Sequence, residues 1–379
     1  MGFDLTEEQL LIKNMVNEFV ESEVKPIAGE IDKEHRFPSE SIAPMAELGL
    51  FGFNLPEEFG GNGCDAMSYV LATEEMAKWS AAHAMIIGSQ CSLVGPIIAK
   101  YGTQAQQERI LPGMISGEKM GCFCLSESGA GCDASGQQTT AVRQGDNYVI
   151  NGSKLWITAA PQGEVFVVFA ATDKSKGIKG ISAFLVERDN PGIKIGLPED
   201  KMGMNGSQTC AVDFADCVIP AENLLGQEGK GFNIAMETLD GGRLSCSAIA
   251  LGLAQSALDA TIAYTKARIQ FGKPICANQG VQWMLVDMAN RVDCARLIVY
   301  RAAHAKESGQ PYSLESAQAK LYAAEAAMFV TEKAVQLHGG MGYTKSYPVE
   351  RFMREAKLTE IFEGTSEVQR MVIAKHILA

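Results

Sequence analysis

Apolar residues at Leu10, Ile12, Met15, Val16, Phe19 and Val20 recur with a 3.6-residue period near the start of the chain, which predicts an amphipathic helix. Thr6 and Gln9 precede it at the spacing of a capping box, in which Thr6 satisfies free N–H groups while Gln9 reaches back. A Pro- and Gly-containing stretch from Leu55 to Gly63 breaks the pattern, and helical spacing resumes over 66–78 and 82–101.

The period then changes. Tyr148 to Gly152 reads as a strand ending in a hairpin-like Asn-Gly turn, with Lys154 to Thr158 following it. Short apolar runs at 165–170, 181–186 and 210–214, punctuated by Gly, Pro and Asp, read as further strands. Helical texture returns over 231–270, 282–308 and 313–338, with Gly339-Gly340 as a stop and Ser366 to Gln369 as a capping box opening a last helix. The expected architecture is α+β and multidomain: a helical domain over 1–118, a β domain over 119–226, and a helical, four-helix-bundle-like domain over 227–379. Strands and helices do not alternate, and no Gly-x-Gly-x-x-Gly follows an early strand, which argues against a Rossmann fold. Gly129-Ala130-Gly131 alone fits a tight loop as well as a ligand site.

Composition narrows the function. With 379 residues, 46% hydrophobic and 21% charged, the chain is that of a globular protein too long for one core. A net charge of −12 with no long basic run argues against nucleic-acid binding. No run of about 18 apolar residues suggests a membrane span, and the first residues lack the order of a signal peptide, so a cytoplasmic location is expected. Ten cysteines without a Cys-x-x-Cys pair, and five unpaired histidines, predict no metal site and mostly buried thiols.

From Phe123-Cys124-Leu125-Ser126-Glu127-Ser128-Gly129-Ala130-Gly131-Cys132-Asp133 onward, the chain resembles the acyl-CoA dehydrogenase family. The likeness continues at Trp156-Ile157-Thr158, Arg268 to Pro274 and Gln336 to Gly340, and ends at Ile361 to Glu367. The texture is that of the short-chain, butyryl-CoA branch. The resemblance implies helical, β and helical domains, one FAD per subunit, a homotetramer built as a dimer of dimers, an acyl-CoA substrate and an electron-transferring flavoprotein as redox partner.

It also implies roles for residues. Phe123, Leu125, Ser126 and Cys132 would line the flavin and pyrophosphate, with Cys132 also near substrate. Trp156, Ile157 and Thr158 would meet the flavin ring. Arg268, Phe271, Gln279, Gln336, Gly339 and Gly340 would hold a neighbouring subunit's FAD, and Thr365 and Glu367 would touch the cofactor at the last helix. Leu239, Asp240, Arg243, Phe362 and Gly364 would contact substrate. Glu363 matches the base that removes the α-proton of the thioester. A second branch of the family carries its base near Asp240 to Arg243, where this chain has Gly242.

Burial raises the pKa of a carboxylate and makes it a stronger base, which suits desaturation of an acyl thioester, where an α-proton and a β-hydride must both leave. The sequence departs from the family at Phe362, Cys132, Glu355 and Ala159-Ala160-Pro161, which leaves the acyl group open among straight, branched and aryl. Two alternatives stand beside the dehydrogenase: a flavin oxidase or monooxygenase on the same fold, and a non-catalytic scaffold.

Overall fold

The computed structural model describes residues 4–379. Helices α1 (Glu7–Phe19), α2 (Lys25–Glu34), α3 (Ser39–Glu47), α4 (Ala66–Ala77), α5 (Ala81–Gly88), α6 (Gly95–Tyr101) and α7 (Gln104–Ile115) come first. The capping box at Thr6 and Gln9 is present, with both hydrogen bonds made. The expected second and third helical stretches appear as α4 and as α5–α6. The latter pair is joined without a break by a π-helical turn over Ser89–Val94, and such wide turns tend to mark functional sites.

Strands β1 (Met120–Cys124), β2 (Thr140–Gln144), β3 (Asn147–Thr158), β4 (Gly163–Ala171), β5 (Ile181–Glu187), β6 (Ile193–Ile195), β7 (Thr209–Pro220) and β8 (Leu224–Leu225) follow. They form one sheet in the order β6-β7-β3-β2-β4-β5-β8, with β1 parallel to β4. Asn151-Gly152 is not a turn. The hairpin turn lies at Gly145-Asp146, and β3 runs straight through Asn151-Gly152 as a bulge against β7. Asn151 and Asp216 hydrogen-bond each other across that bulge, and a Cβ on Gly152 would lie 2.4 Å from Thr139 Oγ1. The long partner strand outweighs the local turn preference of Asn-Gly.

The chain closes with α8 (Gly231–Ala267), a hairpin of β9 (Ile269–Gln270) and β10 (Lys273–Pro274), α9 (Gln279–Glu307), α10 (Ser313–His338), α11 (Val349–Thr359) and α12 (Ser366–Ile377). Gly339, at φ +60, ends α10. The cap of α12 is Thr365, one residue before the expected Ser366, and it accepts from Val368 N–H. Gln369 turns back toward carbonyls of the preceding loop, so it does not complete the box.

One apolar core joins α1, α4, α5 and α8 to α11. A second sits where α6, α7, β4, β5 and the start of α8 meet, and a third fills the inside of the sheet. The stretches Ala81–Tyr101 and Gly231–Ala267 are long and apolar enough to cross a membrane, but 89% and 72% of their most apolar windows are buried inside the fold. They are core helices. Small residues let α8 approach its neighbours closely: a Cβ on Gly252 would lie 2.4 Å from the Glu74 carbonyl.

Candidate active site

The centre of the site is a contact between α8 and the loop before α12. Glu363 stands there at φ +57, followed by Gly364 at φ +87. Left-handed backbone is unfavourable for a glutamate and marks a constrained position. The Glu363 side chain faces Gly242 of α8, whose missing side chain makes the space: a Cβ there would lie 2.5 Å from Glu363 Oε2 and 3.0 Å from Leu93 Cδ2. Leu93 belongs to the π-helical turn, so that turn, α8 and the Glu363 loop enclose one point.

Glu363 is only partly covered as a residue, but its Oε2 is shut off from solvent and has no hydrogen-bond partner. Burial pushes its carboxyl up to about 7 from 4.5, against the attraction of Arg243 and Lys320. An unpaired buried carboxylate is costly unless it serves a purpose. Arg243, also buried, pairs with Asp240 at 2.5 Å within α8. Asp240 itself is pushed up by burial. The Glu363 N–H donates to no acceptor among the described residues.

A second cluster lies on the β domain. Leu155 N–H donates to the Ser126 carbonyl at 2.9 Å, which ties the loop after β1 to the Trp156 end of β3. Trp156 is 57% exposed at φ +63, and Thr158 is half-buried nearby. Ile157 points into the sheet core, so only its backbone faces outward. Leu125 packs in the same apolar cluster as Leu93, with Phe123 and Leu239 against it, and this joins the loop to the Glu363 region. Cys132 is an exposed thiol. A Cβ on Gly129 or Gly131 would meet nothing within 4 Å, so that loop offers open backbone.

The loop is held by a pair that inspection of motifs alone passed over. Lys154, fully buried on β3, donates to Leu125 O, Glu127 Oε1 and Gln137 Oε1 at 2.8–3.1 Å. Glu127 in turn accepts from the N–H groups of Gln138 and Thr139. A lysine in the middle of an apolar strand was the available signal.

A third group is brought together elsewhere. His338 stacks on Tyr264 at 4.2 Å, which sets the end of α10 beside the hairpin after α8. Arg268, Phe271, Gln279, Gln336, Gly339 and Gly340 are all exposed there. Phe271 sits at the hairpin tip at φ +51, 99% exposed. Gln336 lies sixteen residues beyond Lys320, the α10 residue that contacts the Glu363 loop, or about 24 Å along the helix. A single chain therefore holds two separate groups. Thr365 and Glu367 stay with Glu363 at the start of α12, and Phe362 packs toward the main core.

Three family models match in succession: the N-terminal domain of acyl-CoA dehydrogenase over residues 6–118, the middle domain over 122–217 and the C-terminal domain over 229–378. This chain belongs to the acyl-CoA dehydrogenase family. It is 50% identical to a short-chain-specific acyl-CoA dehydrogenase of Clostridium acetobutylicum, with both chains covered in full. It is 48% identical to an acryloyl-CoA reductase (NADH) of Anaerotignum propionicum, covering all of this chain and 96% of the other. The solved butyryl-CoA dehydrogenase of Megasphaera elsdenii superposes over the whole of both chains with a TM-score of 0.98 at 45% identity. FAD-dependent oxidation of an acyl-CoA, or reduction of the enoyl-CoA, is the reaction class of this chain.

The residues present fit such a cofactor. An exposed tryptophan beside a hydroxyl and open backbone N–H groups suits a planar ring with polar edges. Gly339-Gly340, which follows the His338 stacked on Tyr264 of α8, and the exposed Arg268 at the end of that helix suit a diphosphate. Among the departures, Ala159 takes φ +58, a conformation that asparagine tolerates better than alanine.

Proposed function

We propose that this chain acts on a short acyl-CoA thioester, with Glu363 as the general base that removes the α-proton. The observation that carries the reading is the Glu363 carboxylate itself: its Oε2 is buried and unpartnered, and burial raises its pKa to about 7. A base poised near neutral pH gives the best balance between being ionised and being strong.

Ionised Glu363 takes the α-proton. Gly242 leaves room for the carboxylate itself, and Gly364, with no side chain of its own, would let the thioester lie beside the base. The free N–H of Glu363 is placed to donate to the thioester oxygen and stabilise the charge that develops there. Arg243, oriented by Asp240, favours the ionised base and anchors the CoA side of the substrate. Leu239 and Phe362 supply apolar walls, and Leu93 with Val94 and Ile97 closes the far end, which limits the acyl length. FAD, when bound, would supply the hydride acceptor for the β-hydrogen.

Phe123, Leu125, Ser126, Cys132, Trp156, Ile157 (through its backbone), Thr158, Thr365 and Glu367 would hold the cofactor within one subunit. Arg268, Phe271, Gln279, Gln336, Gly339 and Gly340 of a second copy would complete the site. The exposed Phe271 and the distance along α10 support a shared site and a homotetramer. An electron-transferring flavoprotein is the electron partner that the family resemblance suggests, and a cytoplasmic location agrees with it.

The test is anaerobic bleaching of the FAD-loaded protein by a panel of straight C4 to C16, branched and aryl acyl-CoA thioesters. The C4 to C6 thioesters are expected to give the highest efficiency, and greater efficiency at C12 or C16 would overturn the short-chain reading. Sedimentation of the same sample should give a tetramer, and a flavin-replete monomer would rule out the shared site.

A further inference from the structure

We propose that Lys320 is a positioning residue for Glu363: its buried ammonium group fixes the Gly364 carbonyl and supplies the positive charge that lets the neighbouring carboxylate ionise. The proposal rests on the reading of Glu363 as the base.

Lys320 lies on the buried stripe of α10, among Ser316, Ala317, Ala319, Ala323, Ala324 and Ala327, and is itself fully buried. Placing an ammonium among small apolar residues is expensive without compensation. Burial pushes the Lys320 ammonium below the usual lysine range, and what opposes that is a hydrogen bond from Nζ to Gly364 O at 2.7 Å together with the attraction of nearby Glu363. Among the described residues no carboxylate stands in salt-bridge contact with Lys320.

The loop that it holds is strained. Glu363 and Gly364 take φ +57 and +87 in succession. Gln369 Nε2, reaching back from α12, donates to Glu363 O at 3.0 Å and to Gly364 O at 2.8 Å. Lys320 and Gln369 thus hold the Gly364 carbonyl from two helices, and Gln369 holds the Glu363 carbonyl as well. An over-determined loop of this kind can keep a glutamate in a conformation it disfavours.

The charges facing Glu363 are few. From α8 come Arg243, its partner Asp240, and the buried thiol Cys246. From α10 comes Lys320, with Glu360 of the preceding turn at longer range. Arg243 is already neutralised by Asp240, and Glu360 pairs with Lys357 at 2.6 Å. Lys320 is therefore the cation near Glu363 whose charge no salt bridge offsets. Without it the proton on Glu363 is held more tightly and the base is ionised only at higher pH.

The experiment uses the FAD-loaded holoenzyme and compares Lys320→Met, which keeps the volume but removes charge and donor, with Lys320→Arg, which keeps the charge. The acid limb of kcat/KM against pH reports the base of the free enzyme. In Lys320→Met that limb should move up by about one pH unit, as expected for loss of a close opposite charge. The loss is then about tenfold below the limb, and activities converge at alkaline pH. Lys320→Arg should bring the limb back. A uniform loss at every pH, with the limb unmoved, would overturn the proposal and leave Lys320 a packing residue.

A second measurement needs no turnover: the unfolding of Lys320→Met, Glu363→Gln and the double variant at pH 8. Coupled charges require the double variant to be more stable than the sum of the two single changes, whatever the sign of each; additive changes would overturn the proposal. Should Lys320→Met fail to fold, the double variant is expected to fold, and its failure also counts against the idea. If Glu363→Gln alone kept near wild-type activity, the base assignment would fall, while the unfolding cycle would still decide the Lys320–Glu363 coupling.

Discussion

Gly242 and Glu363 occupy one space: a β-carbon added to the glycine would stand 2.5 Å from Oε2 of the carboxylate and 2.8 Å from its Cδ. The absent side chain on α8 is thus a condition for the position of that carboxylate. Gly242→Ala should push the carboxylate off line, cut kcat at least tenfold, and cost about 1–3 kcal/mol by overpacking. Steady-state kinetics with thermal unfolding check this, and an alanine variant of unchanged kcat would show that Glu363 has room to spare.

Glu363→Gln preserves size and removes the proton acceptor. The variant should stay yellow, bind acyl-CoA and bleach at least about 10²–10⁴-fold more slowly. In the unsubstituted protein the acid limb of kcat/KM should lie near pH 7, where the buried carboxyl titrates. Rapid-mixing absorbance and a pH profile make both measurements. Near wild-type bleaching by the amide would send the search to another carboxylate.

The same carboxyl links stability to pH, with a definite sign. Its folded pKa, about 7, lies above the ordinary 4.5, so the native state holds the proton more tightly than the unfolded chain. That contribution is complete below about pH 4.5 and is lost as the pH rises through 7. Glu363→Gln should therefore be more stable than the parent at pH 8, by up to about 3 kcal/mol, and nearly equal to it at pH 4.5. Denaturant melts of the holoenzyme at the two values are the check; a gain independent of pH would contradict it.

Lys154→Met should loosen the loop from Leu125 to Gln138, since it leaves Glu127 buried without its cation. Breaking such a pair typically costs about 3–5 kcal/mol. The expected outcome is a lower melting temperature and weaker FAD retention, read from the absorbance ratio of flavin to protein after gel filtration. Full flavin occupancy would separate the pair from the cofactor.

Leu93→Ala should lengthen the proposed acyl space, because Leu93 Cδ2 stands 3.0 Å from where a β-carbon on Gly242 would lie. The optimum of the acyl-CoA panel should move toward longer chains, with C4 efficiency falling. An unchanged optimum would place the pocket floor elsewhere.

Several features were legible in residue order because they depend on neighbours close in the chain. The Thr6–Gln9 box needed only local geometry and is present, and so is most of the stripe: Ile12, Met15, Val16 and Phe19 of α1 and Val20 just after it face the core, while Leu10 stays exposed. The change from helical spacing to short β-branched runs and back gave the order of elements. The motifs around Ser126, Trp156 and Glu363 carried the family and the cofactor.

Other features required the fold. Asn151-Gly152 has the local preference of a turn, but β7 supplies a partner that keeps the strand running. Thr365, not Ser366, caps α12 because the loop before it is pulled back by Gln369. A lysine at 320 on a buried stripe and a lysine at 154 in a strand were visible as anomalies, yet their partners lie 44 and 27 residues away. By itself the sequence determined the order of the helical and strand regions, which family's chemistry they carry, and which glutamate is the candidate base. Only the tertiary structure decided that Gly242 makes room for that glutamate, that its carboxylate loses water and rises toward pH 7, and that buried cations from α8 and α10 face it. Periodicity and capping are set by covalent neighbours, whereas desolvation and charge depend on whichever groups the packed chain brings together.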